Sequence, residues 1–112
     1  MSDFQSARDR MVEVQIAQRG VRAPHVLHAM RTVPREAFVP PGQQEFAHED
    51  TPLPIGDGQT ISQPYVVALM LEAAELQSSD RVLEVGAGSG YAAAVISRIV
   101  AQVYAIERVA PL

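Results

Sequence analysis

The sequence predicts an α/β fold built around a parallel sheet, and its second half carries that prediction. Residues 81–85 have the pattern of a short buried strand, residues 86–90 of a glycine-rich turn, and residues 91–100 of an alanine-rich helix. A second strand pattern follows over residues 102–107. The order strand, glycine turn, helix, strand is typical of two parallel strands joined by a crossover helix.

The first half of the chain is predicted to be helices and loop. Over residues 2–19, apolar side chains recur at the steps of one helix face, and Gly20 is placed to end that helix; the face consists of Phe4, Ala7, Met11, Val14 and Ala17. A second helix is predicted over residues 24–33, because proline suits the first helical position, and its inward face consists of Val26, Leu27, Met30 and Val33. Prolines and glycines crowd residues 34–58, which predicts a long functional loop, and a third helix is predicted over residues 64–77.

The composition excludes several kinds of chemistry. All nine basic residues are arginine, so the chain lacks a Schiff-base or P-loop lysine, and without cysteine it has no disulfide or zinc-thiolate site. The formal charge of −4, without runs of like charge, predicts no nucleic-acid partner. The longest apolar run, residues 65–71, falls short of the roughly 20 residues that cross a bilayer, so we expect a cytoplasmic protein without a membrane partner. His25 and His28 lie one helical turn apart, but with only distant His48 as a third ligand we predict no metal site.

The turn over residues 86–90 (GAGSG) predicts a ligand that lies against the backbone. Gly86, Gly88 and Gly90 permit a close approach that side chains would block, at the point where a strand gives way to a helix. A dinucleotide fingerprint would need its third glycine at position 91, where this chain has Tyr91, so the spacing disfavours a nicotinamide dinucleotide. Taken alone, such a turn is as often an ordinary turn as a binding site.

Two acidic residues favour a particular nucleotide cofactor. Glu107 lies 21 positions after Gly86, at the end of the next strand, where a carboxylate can accept hydrogen bonds from both hydroxyls of an adenosine ribose. Glu84 adds a negative charge that suits an ammonium or sulfonium group but would repel a pyrophosphate. The pattern favours S-adenosylmethionine, with a merely solvated or salt-bridged Glu84 as the alternative.

Residues 50–65 (DTPLPIGDGQTISQPY) and 82–91 (VLEVGAGSGY) closely resemble the protein-L-isoaspartate O-methyltransferase family, and the first segment is the more specific mark. The resemblance covers most of the chain from Met11, including residues 33–40 (VPREAFVP) and 103–108 (VYAIER). It implies a Rossmann-like class I methyltransferase fold, preceded by an N-terminal helical cap and truncated after the second sheet strand. The family is roughly twice this length, as a complete domain of this kind requires.

The resemblance also implies a reaction and a set of site residues. The reaction is methyl transfer from S-adenosylmethionine to the free carboxyl of L-isoaspartyl residues, and more weakly of D-aspartyl residues, in damaged proteins, which initiates repair through a succinimide. Ser62 matches the family's active-site serine. The cofactor-binding residues implied by the family and by the wider methyltransferase pattern are Gln59, Thr60, Ile61, Ser62, Glu84, Gly86, Gly88, Ser89, Gly90, Glu107 and Arg108.

The expected substrate explains why the sequence shows no catalytic triad. A carboxylate with a pKa of about 3.9 is already ionised at neutral pH and needs no general base. Catalysis would consist of placement, and orientation alone can supply about 7–11 kcal/mol of a barrier. We hypothesise that the Ser62 hydroxyl orients the carboxylate and also caps the following helix, a contribution of about 1 kcal/mol.

The chain is interpreted as one incomplete domain with three parts. Residues 1–49 form a helical cap and loop, residues 50–65 the substrate and cofactor loop, and residues 66–112 the start of the methyltransferase core. The alternatives to an enzyme of this kind are an inactive cofactor-binding or interaction fragment and a nicotinamide-dependent oxidoreductase. A two-stranded parallel sheet leaves an open edge and uncovered apolar faces, so we expect weak stability, self-association or dependence on a partner.

Overall fold

The computed structural model describes residues 3–56 and 58–106. The α-helices are α1 (Asp3–Arg10), α2 (Pro24–Thr32), α3 (Pro64–Ala73) and α4 (Tyr91–Ser97). A π-helix (Met11–Ile16) and a 3₁₀ turn (Ala17–Arg19) continue α1, and two more 3₁₀ helices cover Arg35–Phe38 and Gln44–Phe46. The strands are β1 (Leu53–Gly56), β2 (Gln59–Ile61), β3 (Arg81–Val85) and β4 (Gln102–Ile106).

The predicted strand, turn, helix and strand unit is confirmed in the second half of the chain. β3 and β4 pair in parallel, with Arg81 opposite Gln102 and Val85 opposite Ile106, and α4 connects them. α3 ends at Ala73, earlier than the predicted helix, because Glu75 adopts a left-handed backbone with φ of 53°.

Residues 34–58 are more regular than the predicted loop. β1 and β2 form an antiparallel hairpin, with Leu53 opposite Ile61 and an irregular register between Pro54 and Gly56. These strands have only four and three residues, and Pro54 within β1 gives the sequence signal of a breaker, so their pattern did not indicate strands. The hairpin brings Gln59–Ile61 into a defined conformation directly before α3.

The predicted buried face of the first helix is only partly observed. The backbone widens into a π-helix from Met11, which increases the number of residues per turn and rotates the inward face. Met11 is buried as predicted, together with Val12 and Ile16, whereas Val14 is 45% exposed. Phe4, which lies in α1 before the π-helix, is 37% exposed. Gly20 ends this segment with φ of 108°, as its position predicted.

An apolar core joins the N-terminal helices to α3 and α4. α2 buries Val26 and Met30 of its predicted inward face and also Ala29, whereas the predicted Leu27 is half-buried. These side chains belong to one cluster with others from every neighbouring helix, among them Met11, Ile16, Val67, Leu71, Tyr91 and Val95. This core holds the β1–β2 hairpin and the start of α4 in fixed positions, because Ile61 and Tyr91 are part of it.

The two faces of the β3–β4 pair differ sharply in exposure. Val82 and Val103 pack against the core, whereas the opposite face presents Leu83, Val85, Tyr104 and Ile106, which are 60%, 66%, 49% and 48% exposed. Parallel sheets in α/β proteins are normally covered on both faces. The expected uncovered apolar face is therefore observed. Among the helices of residues 3–56 and 58–106, none is long and apolar enough to cross a membrane.

Candidate cofactor and substrate site

The glycine turn connects β3 to α4 and is tied to the end of β4. Gly86, Gly88 and Gly90 have φ values of 77°, 58° and 85°, a left-handed region that glycine enters without a steric penalty. The backbone N–H groups of Gly86 and Ala87 both donate to the carbonyl oxygen of Ile106, at 2.7 and 3.0 Å. A Cβ atom at Gly86 would meet nothing within 4 Å. The backbone at Gly86 is therefore open to a ligand.

Ser89 lies two residues before the start of α4. Its hydroxyl oxygen accepts a hydrogen bond from the backbone N–H of Tyr91 at 3.2 Å. Gly88 and Ser89 line a cavity of about 360 Å³, which they share with Phe38, Ile55 and the segment that precedes Pro41. The turn thus faces the β1–β2 hairpin across an open space.

Ser62 and Glu84 lie on a second cavity, between α3, β3 and α4. This cavity has a volume of about 310 Å³ and is lined mainly by apolar side chains such as Met70, Leu71 and Ile96. Glu84 comes from the strand before the glycine turn, and Ser62 from the end of the hairpin segment. The structure therefore brings together two of the predicted site residues that are 22 positions apart in sequence.

The predicted loop residues 59–62 differ in their surroundings. Ile61 is 3% exposed and anchors β2 in the core, whereas Thr60 and Ser62 are exposed and Gln59 is half-buried. The Ser62 hydroxyl makes no hydrogen bond to any described residue, and Gln63, not Ser62, occupies the N-cap of α3. The hypothesis that Ser62 caps α3 was therefore wrong, because the helix begins one residue later than the cap requires.

Asp50 fixes the start of the hairpin segment. Its carboxylate accepts a hydrogen bond from the Gln63 side chain at 2.5 Å and pairs with the Arg19 guanidinium, which also lies over the ring of Tyr65 at 5.3 Å from the centroid. The hydrogen bond from Gln63, followed by that from Arg19, lowers the pKa of Asp50. The long-range partners of the Asp50 side chain carried no sequence signal.

Arg35 is a site-adjacent residue that the sequence did not indicate. It is fully buried, and its Nη2 donates to the carbonyl oxygen of Ser62 at 2.8 Å. Its location within residues 33–40 (VPREAFVP) was part of the family resemblance, but an arginine after a helix normally indicates a solvated residue.

The remaining predicted residues divide into three groups. Glu107 and Arg108 lie outside the described residues. Tyr91 is 1% exposed, so it is a core residue. His25 and His28 are exposed, and the described part of the chain contains no group of three His, Asp or Glu residues that could hold a metal ion.

Known proteins with similar sequences match most of this chain. A family model described as protein-L-isoaspartate(D-aspartate) O-methyltransferase matches residues 6–112. The protein-L-isoaspartate O-methyltransferase 2 of Pelobacter propionicus is 65% identical over 105 residues, which cover 94% of this chain and 47% of the relative. The protein-L-isoaspartate O-methyltransferase of Methylorubrum extorquens is 64% identical over 110 residues, which cover 98% of this chain and 48% of the relative.

Solved structures confirm the predicted Rossmann-like α/β fold. A protein-L-isoaspartate O-methyltransferase superposes with a TM-score of 0.81 at 34% identity, over 92% of this chain and 34% of the other. A Plasmodium falciparum protein, described as a protein-L-isoaspartate O-methyltransferase in complex with S-adenosyl-L-homocysteine, gives 0.77 at 28% identity, over 94% of this chain and 50% of the other. The chain spans about half the length of the curated relatives it matches. Because the family model covers nearly all of its residues, the chain belongs to the protein-L-isoaspartate(D-aspartate) O-methyltransferase family.

Proposed function

We propose that this chain binds S-adenosylmethionine and takes part in methyl transfer to the free carboxyl group of L-isoaspartyl, and more weakly D-aspartyl, residues of damaged proteins. The observation that carries the proposal is that Ser62 and Glu84 line the same cavity, and that Glu84 lies two residues before the glycine turn. It joins a carboxylate suited to a cationic ligand with a hydroxyl suited to an anionic one. Membership of the family supports this assignment and disfavours the nicotinamide-dependent alternative.

The cofactor would lie along the glycine turn. Glu84 would face the positive charge of the cofactor. The open backbone at Gly86, together with Gly88, Ser89 and Gly90, would allow the cofactor to come close to the turn. The remaining proposed cofactor contacts come from the hairpin segment and from residues beyond β4, namely Gln59, Thr60, Ile61, Ser62, Glu107 and Arg108. The Plasmodium falciparum relative, described with bound S-adenosyl-L-homocysteine, supports the demethylated form of this cofactor as a ligand.

The contribution of Ser62 to the reaction would be orientation of the substrate. Its hydroxyl is exposed and is not engaged by any residue that the structure describes, so it can donate a hydrogen bond to one oxygen of the substrate carboxylate. A carboxylate is ionised at neutral pH and needs no base, so correct placement supplies most of the rate enhancement. The bound cofactor supplies the methyl group.

The partners would be isoaspartyl-containing peptides and proteins in the cytoplasm, without nucleic acid or membrane. The acidic formal charge of −4 supports the exclusion of nucleic acid. The division into residues 1–49, 50–65 and 66–112 is retained as part of the proposal, because the hairpin separates the N-terminal helices from the strand and helix unit.

Methyl transfer to paired peptides tests the proposal. The chain is incubated with S-adenosylmethionine labelled in its methyl group and with peptides that differ only in isoaspartate or aspartate, and S-adenosylhomocysteine binding is measured by calorimetry. Base-labile label on the isoaspartyl peptide alone is expected. Binding without transfer would favour the inactive-fragment alternative, and the absence of binding would contradict the cofactor assignment.

A further inference from the structure

Arg35 is a charged residue with 0% exposure, and it contacts three separate segments of the chain. Its Nε donates to the carbonyl oxygen of Ala47 at 2.6 Å, and its Nη2 to that of Ser62 at 2.8 Å. The guanidinium lies over the ring of Tyr91, 4.8 Å from the centroid. Burial of a charge is costly unless polar groups compensate it, so a buried Arg35 needs these contacts.

The three partners lie on both sides of the proposed site. Ala47 precedes the hairpin, Ser62 follows it, and Tyr91 is the first residue of α4, immediately after the glycine turn. Tyr91 is in turn held by the edge of the Phe38 ring, at 5.7 Å between centroids, and by the sulfur of Met30 at 3.8 Å from its hydroxyl. Arg35 thus links the segment that carries Ser62 to the element that begins at the glycine turn.

The side-chain type suits this linkage. Arginine presents its donors in a rigid planar fork, so Nε and Nη2 can reach two carbonyl oxygens at once while the flat face packs on an aromatic ring. A lysine would keep the charge, but its single ammonium lacks the planar face and the fixed fork. Burial lowers the pKa of Arg35, and the neighbouring Tyr91 opposes that shift.

We propose that Arg35 is a positioning residue, which holds the backbone of Ser62 at a fixed place relative to the glycine turn. The proposal rests on the proposed role of Ser62 in methyl transfer. The Ser62 hydroxyl has no hydrogen bond of its own to the described residues, so the direction of this side chain depends on its backbone, and Arg35 holds that backbone through the carbonyl oxygen. A misplacement of about 1 Å at a reacting group can reduce a rate about 10²-fold.

Arg8 provides a matched control for a purely structural effect. It is 7% exposed and donates to the Glu36 carboxylate at 3.0 Å and to the carbonyl oxygen of Arg31 at 3.2 Å. None of its hydrogen bonds among the described residues involves Ser62 or Tyr91. Removal of either arginine should lower overall stability, but only Arg35 should affect the segment that carries Ser62.

Deuterium exchange tests the structural part without reference to activity. Deuterium uptake is measured for wild type and for the variants Arg35→Met, Arg35→Lys and Arg8→Met, each at a temperature where the same fraction of molecules is folded. Uptake is followed in peptides that cover residues 59–68 and 3–12. The Arg35 variants should exchange about tenfold faster in residues 59–68, the ratio that corresponds to loss of one charge-assisted hydrogen bond. Arg8→Met should accelerate exchange in residues 3–12 alone. Equal uptake of residues 59–68 in all variants would overturn the proposal, and Arg35→Lys decides the question if Arg35→Met does not fold.

Turnover tests the catalytic part. Arg35→Lys should lower kcat about tenfold, and by no more than Ser62→Ala does, with little change in the KM for S-adenosylmethionine. It should cause no further loss when Ser62 is already alanine. An unchanged kcat in Arg35→Lys would contradict positioning through Ser62. So would a double variant with Ser62→Ala in which the two losses of activity are additive in free energy. If the wild-type chain transfers no methyl group, the proposed function fails for this chain, and the exchange measurement alone decides whether Arg35 fixes Ser62.

Discussion

Leu83 and Tyr104 lie directly opposite each other in the parallel register of β3 and β4, on the face of the sheet that no described element covers. They are 60% and 49% exposed. Removal of apolar surface from water is favourable by about 25 cal/mol per Å². This face is therefore expected to drive self-association of the chain, which sedimentation velocity would show as a mass that rises with concentration.

Polar substitution should weaken this association. Leu83→Gln and Tyr104→Gln each remove apolar area from the exposed face without disturbing the buried side of the sheet. Val14→Gln is the control, because Val14 is 45% exposed but lies on the N-terminal π-helix. If Val14→Gln reduced self-association as much as the sheet variants, or if wild type were monomeric at all concentrations, the exposed sheet face would not be the contact.

Gly86→Ala should lower both stability and cofactor affinity. The φ of 77° at Gly86 is unfavourable for alanine, at a cost of about 1–2 kcal/mol, although the added Cβ would meet no atom within 4 Å. In the proposed site the same Cβ would occupy the space that the cofactor approaches. Urea unfolding measures the first effect, and calorimetry with S-adenosylhomocysteine the second.

Gly20→Ala separates these two effects. Gly20 also has a positive φ, of 108°, and open space around it, but it ends the N-terminal helical segment far from the glycine turn in sequence. The Gly20 variant should lose comparable stability and retain its affinity for S-adenosylhomocysteine. If Gly86→Ala also retained that affinity, the cofactor would not approach the backbone at Gly86.

The strand, turn and helix unit could be predicted because local sequence determines it. Gly86, Gly88 and Gly90 were identified from their spacing, and all three adopt positive φ. Val26 and Met30 were placed in the core from helical period alone, and both are fully buried. At these positions the backbone preference and the apolar pattern favour the same structure.

The features that were missed depend on tertiary contacts or on a local change of helical period. The π-helix from Met11 alters the spacing on which the predicted buried face depended, and its sequence has no recognisable mark. The buried position of Arg35 depends on Ala47, Ser62 and Tyr91, which are 12 to 56 positions away. A single sequence contains no signal for such contacts between distant residues. The roles of the predicted site residues stay predictions.

Ser62→Ala should lower turnover far more than stability. The hydroxyl makes no hydrogen bond within the described structure, and its loss removes only an exposed polar atom, so the melting temperature should change little. Transfer of labelled methyl to an isoaspartyl peptide should fall by about 10-fold or more, if one oriented hydrogen bond to the carboxylate is lost. Ser79→Ala, at an exposed turn between α3 and β3, should change neither quantity. Equal kinetics for Ser62→Ala and wild type would remove this hydroxyl from the mechanism.

The burial of His48 predicts a loss of stability on mild acidification. His48 Nε2 lies 3.1 Å from the Glu36 carboxylate, which also pairs with Arg8. Burial lowers the pKa of His48, and the nearby charge of Glu36 opposes this shift without reversing it. Because the folded pKa is below the usual value of about 6.5, the unfolded chain binds the proton first. This contribution is complete above pH 6.5 or so and is lost as the pH falls toward the folded pKa.

Thermal unfolding between pH 7.5 and 5.5 measures this contribution. The melting temperature of wild type should decrease as the pH is lowered from 7.5 to 5.5. The melting temperature of His48→Gln should decrease less, because this variant lacks the imidazole that titrates. His25→Gln is the control, since His25 is exposed and its replacement should leave the wild-type slope intact. The carboxylates titrate at lower pH, so their contribution over this interval is small. If the slope of His48→Gln matched that of wild type, the acid sensitivity would arise from another group, and the burial of His48 would not control it.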